Sequence, residues 1–190
     1  MTTVEARRIE APLLGMLLFI SSEVMFFGAL FGAYFSLRGR AETWPPSGTP
    51  ETDLLLPGAF TLFLLTSSVT QHLALHAIRR GDRDGLVRWL AITLGLGAVF
   101  LAGQGYEYSE FAGEGFVIGT NAFASLFFTM TGFHGLHVFA GLCALAIALG
   151  KARRNDFSAE RHGGVEAVSY YWHFVDVVWV FLFATVYIIR

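Results

Sequence analysis

The sequence predicts an all-α fold: a polytopic membrane protein, a bundle of five transmembrane helices with its N-terminus inside and its C-terminus outside. Three observations predict it. Hydrophobic residues make up 54% of the chain and charged residues only 15%, against about 25% charged in soluble domains. Five apolar segments lie at about 11–37, 56–78, 86–106, 122–149 and 165–189. Each holds roughly 20 residues or more, enough to cross a hydrocarbon core of about 30 Å, and lipid-exposed backbone of that length must be helical. The basic residues, finally, alternate in density between the two sides. The N-terminus and the second and fourth connections carry Arg7, Arg8, Arg79, Arg80, Arg83, Arg88, Lys151, Arg153, Arg154 and Arg161. The opposite side has only Arg38, Arg40 and Arg190. Ten against three gives the orientation by the positive-inside rule.

The chain reads as one integral membrane domain over 1–190, with no internal repeat, soluble domain or low-complexity tract. The polar start MTTVEARRIE leads into an apolar run too long for a cleavable signal, so span one is read as retained. Near-neutral net charge offers nothing to nucleic acid. The lone Cys143, inside an apolar run, reads as a small buried hydrophobe.

Span one holds Glu23 near its middle, with Phe19, Phe27, Leu30 and Tyr34 on the same side. A carboxyl there needs a donor or a proton, and intramembrane acids often serve function. Gly28, Ala29, Gly32 and Ala33 form small-residue pairs that let another backbone approach. The loop after it, containing WPPSGTPE, is rich in turn formers and reads as an ordered outer loop or a plain connector.

Span two carries His72 and His76 one turn apart, either interface histidines or half of a metal site. After span three, Glu107, Glu110 and Glu114 read as an acidic, solvated outer loop over 107–120. Span four contains TGFHGLHVFAGL, with His134 and His137 near mid-bilayer. In span five Glu166, Ser169, His173 and Asp176 follow at intervals of three, four and three, one stripe on a helix. A carboxylate such as Asp176 at bilayer depth costs about 2.5–3.5 kcal/mol on insertion scales, so the stripe should face other helices. By depth alone Glu23, His134, His137, His173 and Asp176 form a buried polar layer between spans one, four and five. Structural hydrogen bonding and metal or haem ligation both remain open to it, the former favoured because no fixed ligand set is written in the spacing.

At these residues the chain resembles a known family. FISSEVMFFGALFGAYF in span one, TGFHGLHV in span four and YWHFVDVVWVFLF in span five look like subunit III of the haem–copper cytochrome c oxidases. GYEYSEF at 105–111 and GGVEAVSYYWHFVD at 163–176 fit the same family in the same order. The resemblance runs from about Ala11 to Ile189 and is to the five-helix bacterial form, without the first two helices of the seven-helix form.

The resemblance implies a non-catalytic subunit of a respiratory oxidase in the bacterial plasma membrane, without an active centre of its own. It would pack directly on subunit I, near subunit II, in a complex that oxidises cytochrome c and translocates protons. Haem and copper would lie in the partner subunits and none in this chain, which would bind phospholipid and support proton uptake and stability. Glu23, His134, His137, Glu166, His173 and Asp176 match the family's motif positions, as proton-linked or buried polar residues and not as catalytic or metal ligands. Arg154, Arg161 and His162 match its basic connector and are candidates for lipid headgroup contact. Other readings are subunit III of a quinol oxidase, an accessory protein of nitric oxide reductase, a stand-alone haem membrane protein, or a transporter. The last lacks the inverted repeat and broken helices that transporters show.

Overall fold

A computed structural model describes residues 11–50 and 54–190; Arg7 and Arg8 lie outside the described residues. Five helices follow one another: α1 (Ala11–Arg38), α2 (Leu55–Arg79), α3 (Arg83–Gly113), α4 (Ala122–Arg153) and α5 (Gly163–Phe183). The last continues into a π-helical turn at Ala184–Ile189. All five are long and apolar enough to cross a membrane, and no β-strand occurs among the described residues.

The helix ends have local causes. Asp82 caps α3 by accepting from the Gly85 N–H at 2.8 Å, and Asn121 caps α4 by accepting from the Ala124 N–H at 2.8 Å. Each satisfies one amide that the helix itself leaves free. Gly81, at φ +75°, supplies the left-handed residue that ends α2 and turns the chain into α3.

Helices α2, α3, α4 and α5 form a closed ring in which each packs on the next and α5 returns to α2. Successive spans alternate in direction, so all four contacts are antiparallel. Helix α1 lies outside the ring, against α5 and α4, and much of its surface is open: Leu18, Val24 and Met25 are all more than half exposed. The core is aromatic, with Trp172, Tyr34, Phe100 and Phe123 fully buried. Trp172 packs against the backbones of two other helices. A Cβ on Gly97 of α3 or Gly141 of α4 would lie 2.7 or 2.8 Å from its ring, so only glycine fits at both. Gly28 and Gly32 face open space instead; the small-residue face of α1 is not used inside this chain.

The described part of the connection after α1 packs onto one end of the bundle. Trp44 donates to the Tyr34 hydroxyl at 3.0 Å, which donates to the Thr185 carbonyl at 3.1 Å. Arg190 reaches the Pro50 carbonyl at 3.0 Å and Arg38 the Ile189 carbonyl at 2.9 Å. Two sequence readings change. Helix α3 runs on to Gly113, so Glu107 is a buried helical residue and not part of a loop. Cys143 is exposed on the outer surface of α4 instead of buried.

Candidate functional site

The sequence places the polar residues of spans one, four and five at one depth. The structure does not bring them into one layer, because the helices turn them towards different neighbours.

Glu23 and His137 meet between α1 and α4. His137 Nε2 lies 2.9 Å from Glu23 Oε2, and His137 Nδ1 lies 2.7 Å from the Phe133 carbonyl oxygen. A carbonyl can only accept, so Nδ1 carries a hydrogen. One further hydrogen must then lie between Nε2 and Oε2. The pair is either imidazolium with carboxylate or imidazole with carboxylic acid. Its net charge is zero in both forms, and the two differ by the position of one proton. The side chains are 15% and 17% exposed, and the rings of Phe26 and Phe27 lie against the imidazole. Tyr171 donates to the His137 carbonyl at 3.0 Å and ties α5 to the same place.

His134, one turn earlier, faces the other way. It is fully buried, stacked on Trp179 with ring centres 4.9 Å apart and edge-on to Phe100. Neither ring nitrogen has a hydrogen-bond partner among the described residues. His134 and His137 therefore do not converge.

The stripe on α5 faces α2, and the two helices are joined along their length by polar contacts in antiparallel register. Trp179 donates to Thr61 at 2.9 Å, Trp172 donates to Ser67 at 2.9 Å, and His173 Nδ1 pairs with the Ser68 hydroxyl at 2.7 Å. At the basic end Arg79 donates to Glu166 at 2.7 Å. Asp176 lies within the same interface beside the Ser68 hydroxyl and is 4% exposed, and neither carboxyl oxygen makes a hydrogen bond of good geometry among the described residues. His173 thus finds its partner on α2 and not on its own helix.

Sequence reasoning passed over a further pair. Tyr187 donates to Glu107 at 2.7 Å, and both are buried. Beside them Gln104 donates to the Thr131 carbonyl at 2.7 Å and joins α3 to α4. A signal existed: Phe100, Gln104, Glu107 and Phe111 recur at helical spacing, and all are buried.

Arg154 and Arg161 are exposed and His162 is half-buried in the α4–α5 connection. Glu160 sits beside them. The hydroxyl of Ser158 holds its carboxyl below the usual carboxylate range, helped by its own backbone N–H and by the charges of Arg161 and His162. Arg161 and His162 therefore already have a carboxylate near them. His72 and His76 are exposed, with ring centres 5.5 Å apart. Among the described residues no three His, Cys, Asp or Glu side chains come together as a metal-ion ligand set.

The model of one family, cytochrome c oxidase subunit III, matches residues 7–190. Cytochrome c oxidase subunit 3 of Thermostichus vulcanus is 46% identical over 177 residues, covering 93% of this chain and 86% of that one. The protein of the same name from Synechocystis sp. is 46% identical over 181 residues, covering 95% and 76%. That from Corynebacterium diphtheriae is 40% identical over 179 residues, covering 93% and 87%.

Proposed function

Because the chain belongs to the cytochrome c oxidase subunit III family, we propose that it works as the non-catalytic subunit beside the redox subunits of a respiratory oxidase, sustaining proton uptake and stability. It is an integral protein of the bacterial plasma membrane. The complex it serves oxidises cytochrome c, as the names of the relatives suggest, and haem and copper belong to other subunits. Its direct neighbour is subunit I, with subunit II nearby.

The observation that carries this reading is the Glu23–His137 pair. It is a neutral, half-buried unit with one movable proton, between two helices long and apolar enough to cross a membrane. Such a unit can hold or pass a proton without a net charge entering lipid. His173, Asp176 and Glu166 serve the α2–α5 contact, and His134 packs the core. Arg154, Arg161 and His162 are candidates for lipid headgroups at the cytoplasmic surface. The basic ends of α2 and α4 and the basic start of α3 lie at one end of the bundle, which supports an N-terminus inside and a C-terminus outside.

The test is a mild-detergent pull-down of the tagged chain from its native membrane, with visible spectra of the eluate and of the chain freed from partners. Haem in the eluate and none in the freed chain is the expected result. Haem retained by the freed chain overturns the assignment and makes His134, His137 and His173 ligand candidates.

A further inference from the structure

The Glu107–Tyr187 pair has no part in the function proposed above, and it sits at the end of the bundle opposite the basic one. Glu107 stands within the last two turns of α3. Tyr187 comes from the end of the chain, where the helix widens to π geometry over Ala184–Ile189, a form that often accompanies functional sites. It stacks on Phe183 with ring centres 5.1 Å apart and donates to Glu107 Oε2 at 2.7 Å. Glu107 is 8% exposed and Tyr187 3%.

The second carboxyl oxygen is not accounted for. Glu107 Oε1 is buried and has no partner among the described residues. Gln104, one turn earlier, does not serve it. Its Nε2 donates to the Thr131 carbonyl at 2.7 Å, and its Oε1 lies towards Gly135, where a Cβ would come within 2.6 Å. In either charge state Glu107 Oε1 needs a neighbour: an ionised oxygen needs a donor, and a protonated one needs an acceptor.

Glu107 and Tyr187 both line a small cavity between α2, α3 and α5. Its volume of about 10 Å³ is close to the roughly 10–15 Å³ that one water molecule requires. Phe60, Phe100 and Trp179 make the rest of the wall apolar, and Trp179 gives its N–H to Thr61. Leu56 and Pro57 bring the first turn of α2 to the edge of the cavity. The positive end of a helix favours a carboxylate beside it. Leu56 is half-buried and forms the outer edge.

We propose that this cavity holds one water molecule, and that through it Glu107 takes up and releases a proton at the outer end of the bundle. With Glu107 ionised, the water donates to Oε1 and to the phenol oxygen of Tyr187, which itself still donates to Oε2. With Glu107 protonated, the O–H at Oε1 donates to the water. On release the water takes that hydrogen and hands another of its own to solvent past Leu56, so the water is restored and Glu107 is left as the anion. Tyr187 and the start of α2 hold the charged form, and the water holds the neutral one. The titratable and charged groups around the site are Tyr108 and Glu110 of α3 and Tyr187 and Arg190 of the last turn. The neighbouring helices offer Leu56, Pro57 and Phe60 from α2, Phe127 from α4 and Trp179 from α5. Glu23 and His137 take no part, and the inference stands whether or not that pair sustains proton uptake.

The experiment records infrared difference spectra of the whole oxidase complex between acidic and alkaline media, in light and in heavy water. The expected result is a carboxylic-acid carbonyl band that grows as pH falls, shifts in heavy water and is lost in Glu107→Gln. Tyr187→Phe strips one hydrogen bond, so it should move that band without removing it. If Glu107→Gln fails to assemble, the shifts of the band in Tyr187→Phe and Glu107→Asp carry the assignment. A high-resolution cryo-electron map of the complex should show one water within hydrogen-bond distance of Glu107 Oε1.

A parent spectrum without such a band, or one that none of these exchanges alters, overturns the proposal. So does a Glu107 band that does not shift in heavy water, because it means that no water reaches the acid. A map in which a partner's side chain occupies Oε1 does the same. A band that moves when sodium replaces potassium marks a cation site and overturns the water.

Discussion

A single hydrogen decides what the Glu23–His137 pair can do. Glu23→Gln keeps the geometry, because the amide can donate to the neutral imidazole, but it removes the movable proton. We expect the Gln variant to assemble in normal yield with an unchanged melting temperature, while proton uptake slows or the complex loses activity sooner during turnover. Glu23→Ala should also assemble and show the same loss. Pumping and lifetime equal to the parent in both variants would reduce the pair to packing. Trp172 makes a different kind of contribution. Trp172→Phe keeps most of the ring but strips the N–H donated to Ser67, at an expected cost of about 1 kcal/mol, read as a lower melting temperature of the purified chain. The residue types at these positions were legible in the sequence, since Glu23, His137 and Trp172 all stand inside apolar runs. Their partners were not. His134 and His137 lie at one depth, but α4 packs against α1, α3 and α5, and spacing along one helix does not say which neighbour lies at which angle.

At the scale of the element, α2 and α5 are held by hydroxyls on one helix and indole N–H groups and an imidazole nitrogen on the other. Hydroxyl and indole groups satisfy each other there without bringing net charge into the membrane interior. The Arg79–Glu166 pair at the end of the ladder is half-exposed on the arginine side and adds little, within about 1 kcal/mol. Close packing matters more. Gly141→Ala puts a methyl group 2.8 Å from the buried Trp172 ring. We expect a loss of about 1–3 kcal/mol from overpacking, visible as a lower thermal midpoint, while Gly28→Ala leaves the isolated chain within about 0.5 kcal/mol. Equal effects of the two exchanges would mean that the α3–α4–α5 contact is looser than its geometry. The helices themselves were readable from apolar length. The end of α3 was not, because EYSE resembles a polar loop until Glu107 is seen to share a face with Phe100 and Phe111.

For the whole molecule, the clustering of basic residues at one end predicts which surface faces the cytoplasm. In a background with Cys143→Ala, a membrane-impermeant thiol reagent added to intact cells should label Glu114→Cys, in the connection after α3. It should label Asp156→Cys, after α4, only once the membrane is opened. The reverse pattern would invert the assigned topology. The placement of α1 also bears on how the protein is made. Its contacts are with α4 and α5, and the Tyr34–Thr185 bond joins residues 151 positions apart. Ribosomes add about 5–20 residues per second. Helix α1 therefore waits on the order of ten seconds, with Glu23 still without His137, before the surface it docks on has been synthesised. During that interval the lone acid in lipid is a problem for the insertion machinery and its chaperones, and a stop in translation before α5 leaves α1 as a stray span open to quality control.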